Sequence, residues 1–117
     1  FMSKRIALIT GATSGIGEAT ARLLASNNFD LILCGRRKDR LQKLSAELTV
    51  LTQIHTLVFD VRDQKETTTQ LASLPDDWKN IDVLVNNAGN AHGLDSIQNG
   101  SVEDWDAMMD INVKGLL

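Results

Sequence analysis

Short apolar runs and helical patterns alternate without a break along this chain, and that alternation restricts its fold more than any other feature. The runs, at about 5–10, 30–35, 55–60 and 81–86, are nearly continuous in apolar residues. Strands of that kind are covered on both faces, as in parallel sheets. Helical periodicity fills the gaps at about 15–27, 38–48 and 63–73. In the second of these, Leu41, Leu44 and Leu48 form one stripe, while Arg40, Lys43 and Glu47 take the exposed positions. The order implies βαβ crossovers, hence an α/β fold with an open parallel sheet and helices on both sides.

The first strand-to-helix junction carries the chemistry. Ile6-Ala7-Leu8-Ile9 runs into Thr10-Gly11-Ala12-Thr13-Ser14-Gly15-Ile16-Gly17, and from there Ile16, Ala19, Leu23 and Leu24 recur at helical spacing. A helix start after a glycine turn is an anion site, because free backbone N–H groups and the positive end of the helix dipole face the turn. Glycines let a pyrophosphate reach the main chain without meeting a Cβ. The spacing is Gly-x-x-x-Gly-x-Gly, distinct from Gly-x-Gly-x-x-Gly, and no Lys-Ser/Thr follows to make a P-loop. Taken alone, the stretch also fits an ordinary tight turn.

Composition excludes several classes. A length of 117 residues fits one domain, and a net charge of −3 leaves no electrostatic footprint for nucleic acid or an acidic membrane. The sequence has no apolar run of membrane-spanning length and no signal-peptide core, so a cytoplasmic location is expected. The single cysteine, Cys34, lies in the run Leu31-Ile32-Leu33-Cys34 and reads as a buried strand thiol.

The ends of the other strands point to the same ligand. In nicotinamide-binding folds an acidic residue at the end of the second strand holds the ribose hydroxyls, whereas arginine there accommodates a 2′-phosphate. Gly35-Arg36-Arg37 stands at that place, with Asp30 ahead of the strand and Asp39 already in the next helix. Guanidinium groups match phosphate geometry, so NADP(H) is favoured over NAD(H). The other reading is a solvated basic helix start, although cations there are disfavoured unless an anion is near. Asp60, after Phe59, either accepts from an adenine amino group or caps the following helix, a role for which Asp63 is better placed.

The fourth strand runs into Asn86-Asn87-Ala88-Gly89, whose amides can tie loop backbones together or reach a ribose, with Ala88 and Gly89 leaving room for a ligand. Farther on, Ser101 and Asp104 resemble a capping box. Val102, Trp105, Met109, Asn112 and Leu116 then fall on one helical face. A buried amide left unpaired costs about 1–3 kcal/mol, so Asn112 is either a structural latch or part of a site. The pattern reaches Gly115-Leu116-Leu117 with no terminating signal, so the helix is expected to continue past this segment.

Thr10-Gly11-x-x-x-Gly15-Ile16-Gly17, Asp60-Val61, Asn86-Asn87-Ala88-Gly89 and Asn112-Val113-x-Gly115, in this order and spacing, resemble the short-chain dehydrogenase/reductase family. The resemblance covers nearly the whole chain. It implies a Rossmann-type doubly wound sheet, of which residues 1–117 are the dinucleotide-binding part, with hydride transfer between a nicotinamide cofactor and a small alcohol or carbonyl substrate. By position, Gly11, Thr13, Ser14, Gly15, Ile16 and Gly17 would seat the pyrophosphate. Arg36 and Arg37 would meet the 2′-phosphate, Asp60 and Val61 the adenine, and Asn87, Ala88 and Gly89 the adenosine ribose side. Asn112 matches the family's catalytic asparagine, whose carbonyl binds a water of a proton relay. The helix starting near Val102 would pair subunits into a dimer or tetramer.

A narrower likeness lies in Cys34-Gly35-Arg36-Arg37, Leu71 to Trp78 and Ser101-Val102-Glu103-Asp104-Trp105, which are similar to NADP-dependent 3-hydroxy acid dehydrogenases acting on serine and related compounds. The family's chemistry also needs a serine, a tyrosine and a Tyr-x-x-x-Lys lysine, all falling beyond Leu117, and this chain holds no tyrosine. A general acid must reach the reacting oxygen. His92 reads as a solvated loop residue and His55 as a strand-start histidine, so neither fills the role. The expectation is the cofactor-binding half of an oxidoreductase; its rival is a module that binds nucleotide without turnover.

Overall fold

The computed structural model describes residues 4–87. Strands β1 (Arg5–Thr10), β2 (Phe29–Gly35), β3 (Ile54–Val58) and β4 (Val83–Asn86) alternate with helices α1 (Gly15–Ser26), α2 (Lys38–Leu48) and α3 (Gln64–Ala72), and a 3-10 turn spans Asp76–Trp78. The strands form one sheet in the order β3-β2-β1-β4, with every pairing parallel. Leu8 in β1 pairs with Ile32 on one side and Leu84 on the other, which fixes the register at the centre.

Two apolar layers explain why the runs are continuous. On one face Ala7, Ile9, Leu31, Leu33 and Val85 pack against Ala21 and Ala25 of α1 and Leu41, Leu44 and Leu48 of α2. On the other, Ile6, Leu8, Ile32, Cys34, Leu57 and Leu84 pack with Phe59, Val61 and Leu74, and Leu71 and Trp78 lie against them. Successive strand residues point to opposite faces, so a sheet covered twice needs apolar residues at every position. Each fully buried Leu or Ile contributes about 1.5–3 kcal/mol. Cys34 belongs to this layer, and burial pushes its thiol pKa far up.

The leucine stripe of α2 is buried as its spacing predicts, but the apolar spacing in α1 locates the helix without its buried face. Ile16 and Leu23 are 70% and 63% exposed, and the buried residues are Gly17, Ala21 and Ala25. Small residues four apart let the helix lie close to the sheet, which the large residues on the opposite side could not do. Strand boundaries also differ from the sequence reading: Asp30, expected ahead of the second strand, lies within β2, where it pairs with Ile6. β3 closes at Val58, although Phe59 N still donates to Gly35 O at 3.0 Å. β4 opens at Val83, because Asp82 serves the sheet edge by accepting from Ile6 N at 2.9 Å and donating its own N–H to Ile6 O at 2.8 Å.

No described helix is long and apolar enough to cross a membrane. The expectations for Ala88, Gly89, His92, Asn112 and the helix from Ser101 fall outside the described residues.

Candidate functional site

Strand order places the crevice. In doubly wound sheets ligands lie beyond the carboxyl ends of the strands, where the order reverses. Here that point is between β1 and β4, at the pair Thr10 and Asn86.

The glycine turn is built from β1 outward. Gly11 has φ 60°, a left-handed conformation that a residue with a Cβ rarely adopts. Its carbonyl accepts from Ser14 N at 3.1 Å and Ser14 Oγ at 2.8 Å, which closes the turn. Ser14 is the N-cap of α1, its Oγ accepting from Gly17 N. Ala12 N donates to Cys34 O at 3.1 Å, so the turn is also anchored to β2.

The glycines separate into two roles. A Cβ on Gly17 would lie 2.0 Å from Gly11 O and 2.7 Å from Asn87 Nδ2. That glycine exists for packing inside the protein. A Cβ on Gly15 would meet nothing within 4 Å. The space above the N-terminus of α1 is therefore open, as an approaching phosphate requires.

The amides after β4 tie the loops together, one of the two roles their chemistry allows. Asn87 Nδ2 donates to Ser14 Oγ at 2.8 Å and to Gly11 O at 3.3 Å. Asn87 N donates to the buried hydroxyl of Thr10 at 3.0 Å, and that hydroxyl donates to Asn86 Oδ1 at 3.2 Å. The ends of β1 and β4 are thus one hydrogen-bonded unit.

Beyond β2, Arg36 and Arg37 are exposed, and Arg37 is the N-cap of α2 without a side-chain capping bond. Among the described residues neither Arg37 nor Arg40 has an ion-pair partner. Asp63 caps α3 by accepting from Glu66 N at 3.0 Å. Asp60 is thereby relieved of capping and takes a different partner. Its Oδ1 accepts from Arg62 N at 2.9 Å and Nε at 3.1 Å, and its Oδ2 from Arg62 Nη2 at 2.8 Å. The Arg62 side-chain hydrogen bonds, helped by the Arg62 backbone N–H, lower the Asp60 pKa to about 2. Arg36 Nη1 stands 3.9 Å from the same carboxylate.

These pieces enclose a cleft of about 380 Å³. It brings together Gly11, Thr13, Ser14, Arg36, Arg37, Asp60, Val61 and Asn87 of the residues expected from sequence. Gly15 and Ile16 lie in the first turn of α1 outside the lining, and Gly17 is buried beneath it. The lining also includes Arg40 and Arg62, which sequence reading missed. The available signals were local: Arg40 follows Arg37 by one helical turn, and Arg62 follows Asp60 by two residues. Four arginines and one aspartate thus line one cleft at the mouth of a glycine turn, and two of the arginines, Arg36 and Arg62, pair with the aspartate. His55 is not among the lining residues. It lies at the start of β3 with its ring 5.5 Å from that of Trp78.

The chain is similar to known proteins in sequence and in fold. The chain is 46% identical over 112 residues to sulfoacetaldehyde reductase 2 of Chromohalobacter salexigens, covering 96% of this chain and 44% of that protein. It is 48% identical over 112 residues, with the same coverage, to the NADP-dependent 3-hydroxy acid dehydrogenase YdfG of Salmonella typhimurium. A solved structure of the closed form of serine dehydrogenase complexed with NADP+ matches at 46% identity and TM-score 0.67, covering 95% of this chain and 44% of that one. The chain therefore spans less than half the length of these relatives. The short chain dehydrogenase family model matches residues 5–117, and on that match together with these identities the chain belongs to the short-chain dehydrogenase family.

Proposed function

We propose that this chain is the cofactor-binding half of an NADP(H)-dependent oxidoreductase that acts on the hydroxyl or carbonyl carbon of a small molecule such as serine or another 3-hydroxy acid. The observation that carries the cofactor is the cluster of Arg36, Arg37 and Arg40 at the N-terminus of α2. Three cations at the positive end of a helix dipole repel one another and the dipole unless an anion joins them. Asp39 is the acidic residue of that turn, which leaves the cluster positive. A 2′-phosphate supplies the missing charge, and a diol-binding acid is absent from the end of β2.

The residues of the turn fit the rest of the cofactor. Open space over Gly15 and the capped start of α1 suit a pyrophosphate. Asp60 and Val61 would receive the adenine, and Asn87 with Ala88 and Gly89 the ribose side. When bound, the nicotinamide supplies or accepts the hydride. Asn112 is the catalytic residue proposed within this chain, holding a relay water, and the segment from Val102 is the proposed subunit contact. A cytoplasmic location is part of the same proposal.

The substrate is the least constrained element. The relatives at 46–48% identity bear the names of a sulfoacetaldehyde reductase and a 3-hydroxy acid dehydrogenase, so similarity over this half is shared by enzymes named for different substrates. Initial rates of the full-length protein with NADP+ and NAD+, on serine and a panel of 3-hydroxy acids, test activity and cofactor together. Turnover with NADP+ on a member of the panel supports the proposal. Tight NADP+ binding with no turnover on any of them favours the rival, a binding module.

A further inference from the structure

The cleft contains one carboxylate among four arginines, and the partner that carboxylate takes affects what the arginines can bind. Asp60 is engaged by Arg62 through a two-pronged side-chain contact and a backbone N–H. Paired forks of this kind are the strongest arginine–carboxylate geometry. Arg36, at 3.9 Å, makes only a looser ion pair with the same group, outside hydrogen-bond distance. Arg62 is two residues from Asp60, so its pairing is local in the chain.

We propose that Arg62 is a positioning residue for 2′-phosphate selectivity: by occupying the Asp60 carboxylate it keeps Arg36 from folding onto Asp60 and leaves Arg36 available to a phosphate monoester. The inference rests on the NADP(H) reading above. Without Arg62, the nearest cation to Asp60 is Arg36. The loose Arg36–Asp60 pair could then close to hydrogen-bond distance and compete inside the protein with the 2′-phosphate. Even with Arg62 gone and its pKa back towards 3.8, Asp60 is ionised throughout the physiological range, so the competitor would be present at every working pH.

The test uses two fragments that differ only in the group at issue, 2′,5′-ADP and 5′-AMP, titrated calorimetrically against the full-length protein. The ratio of their Kd values cancels effects on adenine, on which a merely structural role of Arg62 would act equally. Wild type is expected to prefer 2′,5′-ADP. Arg62→Gln lowers that preference by about threefold to fivefold, the scale of one exposed ion pair. The double variant Asp60→Asn with Arg62→Gln restores it to the wild-type ratio, because the competing carboxylate is gone. An unchanged ratio in Arg62→Gln overturns the proposal, and so does a ratio that stays low in the double variant, which would make Arg62 a direct phosphate ligand. Should Arg62→Gln not fold, Asp60→Asn alone decides: a ratio at or above wild type agrees, and a fall contradicts. A wild type with no preference for 2′,5′-ADP overturns the cofactor reading itself and this inference with it.

Discussion

Asn87 Nδ2 donates to Ser14 Oγ at 2.8 Å, joining the exit of β4 to the N-cap of α1 across the switch point of the sheet. The same amide donates to Gly11 O at 3.3 Å. Asn87→Ala removes both bonds and leaves the turn supported by its own contacts and by the Ala12 N–H bond to Cys34 O. Each such bond is worth about 1 kcal/mol. The variant is expected to melt a few degrees lower and to bind dinucleotide roughly fivefold to tenfold more weakly. Calorimetric melting with a parallel titration checks both, and unchanged affinity would show that the latch does not shape the site.

Two glycines two residues apart should respond in opposite ways to the same substitution. Gly17→Ala drives a Cβ into Gly11 O, a backbone atom that cannot swing away, and should cost about 3 kcal/mol. Gly15→Ala meets nothing in the protein and should be neutral or stabilising by up to about 1 kcal/mol. Its methyl group would nevertheless stand where the phosphate approaches, so dinucleotide binding should weaken while the fold holds. Denaturant midpoints set beside Kd values separate the two effects, and wild-type affinity in a well-folded Gly15→Ala protein would place the phosphate elsewhere.

Arg36→Asp replaces a guanidinium at the end of β2 by the carboxylate that suits ribose hydroxyls. The ratio of kcat/KM for NADP+ over NAD+ should fall by at least about tenfold, the loss of one charge-assisted hydrogen bond. An unchanged ratio would remove Arg36 from the phosphate site.

Asp60 titrates far below an ordinary carboxyl group, from 3.8 down to about 2, because of Arg62. A lowered folded-state pKa means that the stabilisation is fully present above 3.8 and is lost as pH falls from there towards about 2. In a carbon-detected NMR titration the Asp60 carboxyl should remain ionised down to pH 3 or to the onset of acid unfolding. In Arg62→Gln its midpoint should return towards 3.8. A wild-type midpoint near the ordinary value would mean that the Arg62 fork does not persist in solution.

Much of this architecture was legible because parallel strands covered on both faces must be apolar throughout. Leu31-Ile32-Leu33-Cys34 admits few other readings, and the stripe Leu41, Leu44, Leu48 is buried as spaced. The buried face of α1 was not legible. Hydrophobic periodicity weights Ile16 and Leu23 above Gly17, Ala21 and Ala25, whereas close approach to the sheet selects the small residues. The start of β4 was misplaced because Asp82, polar in sequence, is engaged at the sheet edge by Ile6 N. In the site, Gly11, Arg36, Arg37, Asp60 and Asn87 could be named from motif and position, because each lies at a strand end. Arg62 could not, since its contact with Asp60 depends on how the chain turns after β3.

The central claim is that the arginine cluster beside the glycine turn is built for the 2′-phosphate of NADP(H). Fluorescence titration of the full-length protein with NADPH and NADH measures this most directly, with no assumption about substrate. NADPH should bind at least about tenfold more tightly, the scale of one charge-assisted hydrogen bond to the extra phosphate. Equal affinity, or tighter binding of NADH, would contradict the account.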